Sequence, residues 1–197
     1  MIVSTGIEDT GDLRAQARQV QETAQRMIDA GAPSVDVVGY SAGGVVTRLW
    51  LAEGGAALAR RVITIGAPNQ GASEKQLNSL VTKRFCQVTC PQLNPESPLL
   101  KGLPAAKGPT PWLNLWTTHD RVVDEPSAQM PGALNVSLQS ICPRNKASHT
   151  NLPTDPLVVG IVLKALEPQP VTVAPTKAEC TALRNNGTPD VLPGVAS

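Results

Sequence analysis

The sequence has no run of apolar residues long enough to span a bilayer; the longest candidate, Leu157 to Leu166, contains Lys164 and is far too short. It has little net charge: 17 Lys and Arg against 16 Asp and Glu give +1, with both signs scattered. With that balance nothing in the sequence points to a basic patch for nucleic acid or a polybasic face for a membrane surface. It has only two histidines, His119 and His149, and no internal repeat. The first residues, MIVSTGIEDT, hold no basic region followed by an apolar one, so they do not read as a secretory signal. What remains is 197 residues, 41% hydrophobic and 17% charged, enough for one globular domain with a substantial core.

Four cysteines are present: Cys86, Cys90, Cys142 and Cys180. An even count in one domain points to disulfides and an oxidising compartment. Cys86 and Cys90 lie close together and pair first, leaving Cys142 with Cys180; four cysteines allow three pairings, so this is one scheme of three. A zinc site is disfavoured, because a three-residue gap is loose for a zinc ligand pair and only two histidines could complete it.

Strands alternate with helices along the chain. Ile2 to Ser4 reads as a short strand. Asp12 to Ala30 carries Leu13, Ala17, Val20, Ala24, Met27 and Ile28 on one helical face, stopped by Gly31 and Pro33. Val35 to Val38 is a strand, Ala42 to Glu53 a helix, and Arg61 to Ile65 a strand closed by Gly66-Ala67-Pro68. Residues 69–110 are rich in Gly, Pro, Ser and Asn and read as a long excursion held by cysteines rather than packing, with a helix over Glu74 to Lys83 as the other reading. Trp112 to Thr118 and Ala133 to Leu138 are strands, and Pro153 to Leu166 is a closing helix with Pro156 in its first turn. Beyond Glu167 the chain is Pro-rich and aperiodic. The expected organisation is a domain over 1–167, including the excursion, and a tail over 168–197 for which Cys180 offers a tether. Such alternation predicts an α/β fold: a mostly parallel sheet with helices on both faces, and chemistry beyond the carboxyl ends of the strands.

Gly39-Tyr40-Ser41-Ala42-Gly43 fits G-x-S-x-G, with a strand running in and a helix running out. This is the context of a nucleophile elbow, a sharp turn that exposes the serine hydroxyl. Gly39 and Gly43 are expected where a Cβ would collide with a neighbouring element, and the Ala42 N–H would face a developing oxyanion. A glycine-rich turn feeding a helix is the plainer reading. A serine hydroxyl needs a base. The chain order Ser, acid, His selects His149, in Ser148-His149-Thr150-Asn151, and leaves His119 to flank the site or face solvent. The acid must follow a strand and precede His149. Asp120 does so directly, ahead of Asp124 and then Glu125.

These stretches resemble the small secreted bacterial lipases and esterases of the α/β-hydrolase superfamily, especially those of actinomycetes. The likeness rests on Val35 to Gly44, on Ile65-Gly66-Ala67-Pro68-Asn69-Gln70-Gly71, on Trp116 to Val123, and on His149 with Leu152 to Pro156. It implies a triacylglycerol lipase or esterase with the triad Ser41, Asp120 and His149, and paired cysteines in the excursion and near the C-terminus. It also implies export to the medium or cell envelope and no cofactor. The expected partner is a lipid or small ester, with no nucleic acid, no integral membrane segment and a monomeric state. Asp155 has no second carboxylate to complete a calcium site, so no metal is expected.

One family element has no counterpart. The oxyanion loop, His-Gly and small residues, follows a central strand well upstream of the serine, and no His-Gly pair occurs here. The resemblance therefore implies a sheet missing its N-terminal strand or strands, with the oxyanion loop and any signal peptide also lost. Two functions follow: an ester hydrolase, or a hydrolase-like fragment with impaired or no catalysis.

Overall fold

The structure is a computed structural model that describes residues 11–77, 83–106 and 108–188. The expected strand at Ile2 to Ser4 lies outside the described residues.

Helix α1 (Leu13–Asp29) begins where Asp12 accepts the Arg14 N–H, an N-cap that satisfies one of the helix's orphan amides. It ends at Gly31, whose φ of 99° suits a residue without a Cβ. Strand β1 (Val35–Tyr40) follows, then α2 (Ala42–Ala52) and β2 (Ala59–Ile65). Among its described residues the excursion forms helices α3 (Glu74–Leu77), α4 (Lys83–Leu93) and α5 (Pro98–Lys101). Strand β3 (Trp112–Trp116), α6 (Glu125–Ala128), β4 (Leu134–Ser137), α7 (Leu138–Ile141), α8 (Pro156–Leu166) and α9 (Cys180–Asn186) complete the order.

Among the described residues the sheet has four parallel strands in the order β1-β2-β3-β4. The period of two sorts its side chains between two cores. Ile63, Ile65, Leu113 and Leu115 face a cluster with Leu157, Val158 and Ile161 of α8 and Leu138 and Ile141 of α7. Val35 and Trp116 instead join a cluster with Leu13 and Ala17 of α1 and Val45, Val46, Leu49 and Trp50 of α2. Helices thus cover both faces, as parallel strands buried on both sides require.

Two segments are more ordered than the sequence suggests. The excursion is packed as well as stapled: Leu77, Leu93, Leu99 and Leu100 are buried in the core of α1 and α2. Arg48 of α2, itself buried, fastens it by donating to the carbonyls of Asn69, Leu103 and Pro104 at 2.7–2.8 Å. The tail also packs. Leu183 of α9 is buried against α8, whose Gly160 lies so close that a Cβ there would fall 1.8 Å from the Leu183 carbonyl oxygen. Disulfides join Cys86 to Cys90 within α4, and Cys142 to Cys180 across 38 residues, so α9 is held by both packing and a bond.

Candidate active site

The carboxyl ends of β1, β2 and β3 converge on one place. Ser41 follows β1 directly. Its φ of 52° makes it the one non-glycine residue with positive φ among the described residues. Holding a residue with a Cβ there costs on the order of 1–3 kcal/mol, and such strain persists only where its surroundings impose it. Here the Ser41 N–H donates to the Ile65 carbonyl of β2 at 2.9 Å, while its own carbonyl accepts from Gly44 in the first turn of α2. The turn is sharp because the strand end and the helix start are pinned separately.

The glycines meet that sharpness unequally. A Cβ on Gly39 would fall 2.6 Å from the Gly43 carbonyl oxygen, so strand and helix meet closely there. The expectation for Gly43 needs correcting: a Cβ on it would meet nothing within 4 Å. The close approach on the helix side belongs to Gly44, where a Cβ would fall 2.3 Å from the Ala67 side chain. It is the residue one step further round the helix that faces the chain leaving β2.

Asp120 sits in the turn after β3. Its Oδ1 accepts the N–H groups of Val122 and Val123, both at 2.8 Å. Its Oδ2 lies 2.7 Å from His149 Nδ1. His149 Nε2 lies 2.9 Å from Ser41 Oγ. A carboxylate only accepts, so Nδ1 donates to Asp120 and Nε2 is left to accept the serine hydroxyl proton. The Asp120 and His149 side chains are 1% and 3% exposed, which keeps bulk water from competing for these bonds. Ala42, the first residue of α2, has its amide in the turn of the helix where N–H groups lack intrahelical partners.

The rival residues lie elsewhere. Asp124 is exposed and caps α6, with Oδ1 accepting the Ser127 N–H at 3.0 Å. The Ser127 hydrogen bond holds its carboxyl below the usual range. Glu125 is exposed in the first turn of α6. His119 is exposed, its Nδ1 3.3 Å from Thr118 Oγ1 and from Gln139 Nε2.

Three residues whose identity no motif sets also shape the site. The Tyr40 hydroxyl donates to the His149 main-chain carbonyl at 3.0 Å. Thr117 donates to the Ala147 carbonyl at 3.0 Å, and Gln139 donates to Thr117 Oγ1 and to the Asn145 carbonyl. Among the described residues no group of three or more His, Cys, Asp or Glu side chains is placed to hold a metal ion, and no helix is long and apolar enough to cross a membrane.

No protein-family model and no curated protein sequence matches the chain. Solved structures do. The crystal structure of Aspergillus fumigatus lipase B is similar over 96% of this chain, with a TM-score of 0.69 and 19% sequence identity. The chain spans 49% of that lipase's length. The mature form of Bacillus licheniformis lipase BlEst2 matches 64% of this chain and 64% of its own, with a TM-score of 0.49 and 16% identity. At such identity the likeness is one of architecture, and together with the parallel sheet flanked by helices it shows that this chain has the α/β-hydrolase fold.

Proposed function

We propose that the chain is a serine ester hydrolase that works through an acyl-enzyme on Ser41. The observation that carries this reading is the continuous run of hydrogen bonds from Ser41 Oγ through both ring nitrogens of His149 to Asp120 Oδ2.

The chemistry follows from that run. Ser41 Oγ attacks the ester carbonyl carbon while its proton passes to His149 Nε2. The carbonyl oxygen takes the negative charge, and the Ala42 N–H donates to it. Asp120 accepts from Nδ1 throughout and stabilises the imidazolium. The imidazolium then gives its proton to the alkoxide as the ester C–O bond breaks, and the alcohol leaves with the acyl group on Ser41. Water repeats the sequence: its proton goes to His149, its oxygen attacks the acyl carbon, and the acid departs as Ser41 regains its proton. The cycle balances without a cofactor. The Ser41 backbone strain and the buried Asp120–His149 pair are both features that serve a positioned nucleophile and have no evident use in a plain turn.

A lipid or small ester is the substrate class we favour, since Aspergillus fumigatus lipase B, whose fold this chain shares over most of its length, is a lipase. Two disulfides support an oxidising compartment, and with it a secreted or cell-envelope location. The test is covalent. A fluorophosphonate, which reacts with activated serines, should add to the chain at Ser41 and nowhere else, as read by peptide mass spectrometry. An adduct on another residue, or none on a folded chain, would contradict the assignment.

A further inference from the structure

Tyr40 fills a position that the G-x-S-x-G pattern leaves free, yet it is tied to the far end of the site. It ends β1, and its hydroxyl donates to the main-chain carbonyl of His149, 109 residues away, at 3.0 Å. Its ring centroid lies 5.2 Å from that of the imidazole, with the planes tilted by 37°. One side chain therefore touches both the backbone and the ring of His149. Burial first, and the Asp120 charge second, push the phenol up to about 12, so the hydroxyl stays a donor across neutral pH.

Other bonds hold the same loop, but further from the ring. Thr117 grips the Ala147 carbonyl and Gln139 the Asn145 carbonyl. These fix the chain up to two residues before His149. Tyr40 fixes His149 itself, at the point where the chain turns into the short 3-10 segment His149–Thr154. An imidazole that must meet Ser41 at one nitrogen and Asp120 at the other tolerates little rotation. Anchoring its carbonyl limits movement of its Cα, and the neighbouring phenol ring limits tilting of the imidazole.

We propose that Tyr40 is a positioning residue for His149, holding the imidazole in the orientation that joins Ser41 to Asp120. The proposal rests on reading those three residues as the catalytic triad. The competing role is simple core filling, since the Tyr40 ring also packs against the cluster around α8. The two roles separate at the hydroxyl. Tyr40→Phe keeps the ring and its packing and removes only the donor.

The experiment uses the full chain with p-nitrophenyl butyrate as probe. Tyr40→Phe should lower kcat about tenfold or more, because misplacing a reacting group by a fraction of an ångström to an ångström costs up to about a hundredfold. KM should stay within about twofold, since no substrate contact is altered, and the urea midpoint should fall only modestly, by the loss of one part-buried hydrogen bond with the ring packing kept. A second readout does not depend on turnover. The downfield proton resonance of the His149 Nδ1–H to Asp120 bond should be visible in the wild-type chain and should broaden by faster exchange in Tyr40→Phe. An unchanged kcat, or an unchanged resonance, would overturn the positioning role and leave pure packing. Failure of the underlying triad reading is distinguishable, because Ser41→Ala would then retain ester turnover, whatever Tyr40→Phe does.

Discussion

His149 Nε2 lies 2.9 Å from Ser41 Oγ across 108 residues of chain, and the ring's other nitrogen lies 2.7 Å from Asp120. Neither bond is local. The first joins the end of β1 to the loop before α8, and the second joins that loop to the end of β3. Parallel strands bring their carboxyl ends to one edge, so residues placed just after them meet without further design.

Asp120→Asn should lower kcat by about 10⁴ while leaving the fold intact, because an amide at that position favours the wrong imidazole tautomer. The amide can still accept from the Val122 and Val123 N–H groups, so the turn should survive. Steady-state ester hydrolysis beside a circular-dichroism melt checks this. A loss in kcat below tenfold would remove Asp120 from the triad and reopen the question of the acid.

Breaking the Cys142–Cys180 bond should matter more to stability than breaking Cys86–Cys90. The first closes a separation of 38 residues and the second a separation of 4. Loop-closure entropy assigns about 4 kcal/mol to the longer and about 2 kcal/mol to the shorter. Urea unfolding of the Cys142→Ala, Cys180→Ala double variant and of the Cys86→Ala, Cys90→Ala double variant gives the comparison. Equal losses would show that packing of Leu183 against α8, rather than the bond, holds the tail.

The two glycines of the elbow pattern should respond differently to alanine. Gly39→Ala places a Cβ 2.6 Å from a backbone oxygen and should destabilise or unfold the domain. Gly43→Ala meets nothing within 4 Å and lies in a helix without positive φ, so it should be neutral or stabilising by up to about 1 kcal/mol. Thermal melts of the two variants test this, and a Gly43→Ala chain as unstable as Gly39→Ala would contradict the geometry.

Glu179 carries a pH signature. Its hydrogen bond with Lys164, reinforced by the Thr176 N–H, lowers its carboxyl from 4.5 to about 2. A folded value below the unfolded one stabilises above about pH 4.5, and that contribution is lost as pH falls toward 2. Both side chains are more than a third exposed, at 39% and 34%, so solvent screening keeps the contribution to about 1 kcal/mol or less. Glu179→Gln should be less stable than wild type at neutral pH, and the gap should close near pH 2. A gap that persists at pH 2 would assign the loss to something other than ionisation.

The elbow was legible in the sequence because its requirements are local: Ser41 needs a strand before it, a helix after it and small neighbours. Scarcity and chain order point to His149 as the residue that meets Ser41, and the place after a strand points to Asp120 as the residue that meets His149; the contacts of 2.9 Å and 2.7 Å have that arrangement, and their catalytic roles are the proposal. Tyr40, Thr117 and Gln139 were not legible, since their partners are carbonyls whose positions only the folded backbone sets. The packing of the excursion was hidden for another reason. Helix α5 has only four residues, too few to show a period, so nothing in the sequence singles out Leu99 and Leu100 as core. Gly43 and Gly44 differ only in which one faces Ala67, a distinction that adjacent identical residues cannot reveal.

The central claim is that Ser41 and His149 act together on an ester. The most direct measurement is p-nitrophenyl butyrate hydrolysis by wild type, Ser41→Ala, His149→Ala and His119→Ala at matched folded concentration. Ser41→Ala and His149→Ala should each lose on the order of 10⁴-fold or more in kcat, and His119→Ala should stay within about twofold of wild type. Equal damage from His119→Ala and His149→Ala, or a folded wild-type chain with no turnover above the Ser41→Ala background, would contradict the account.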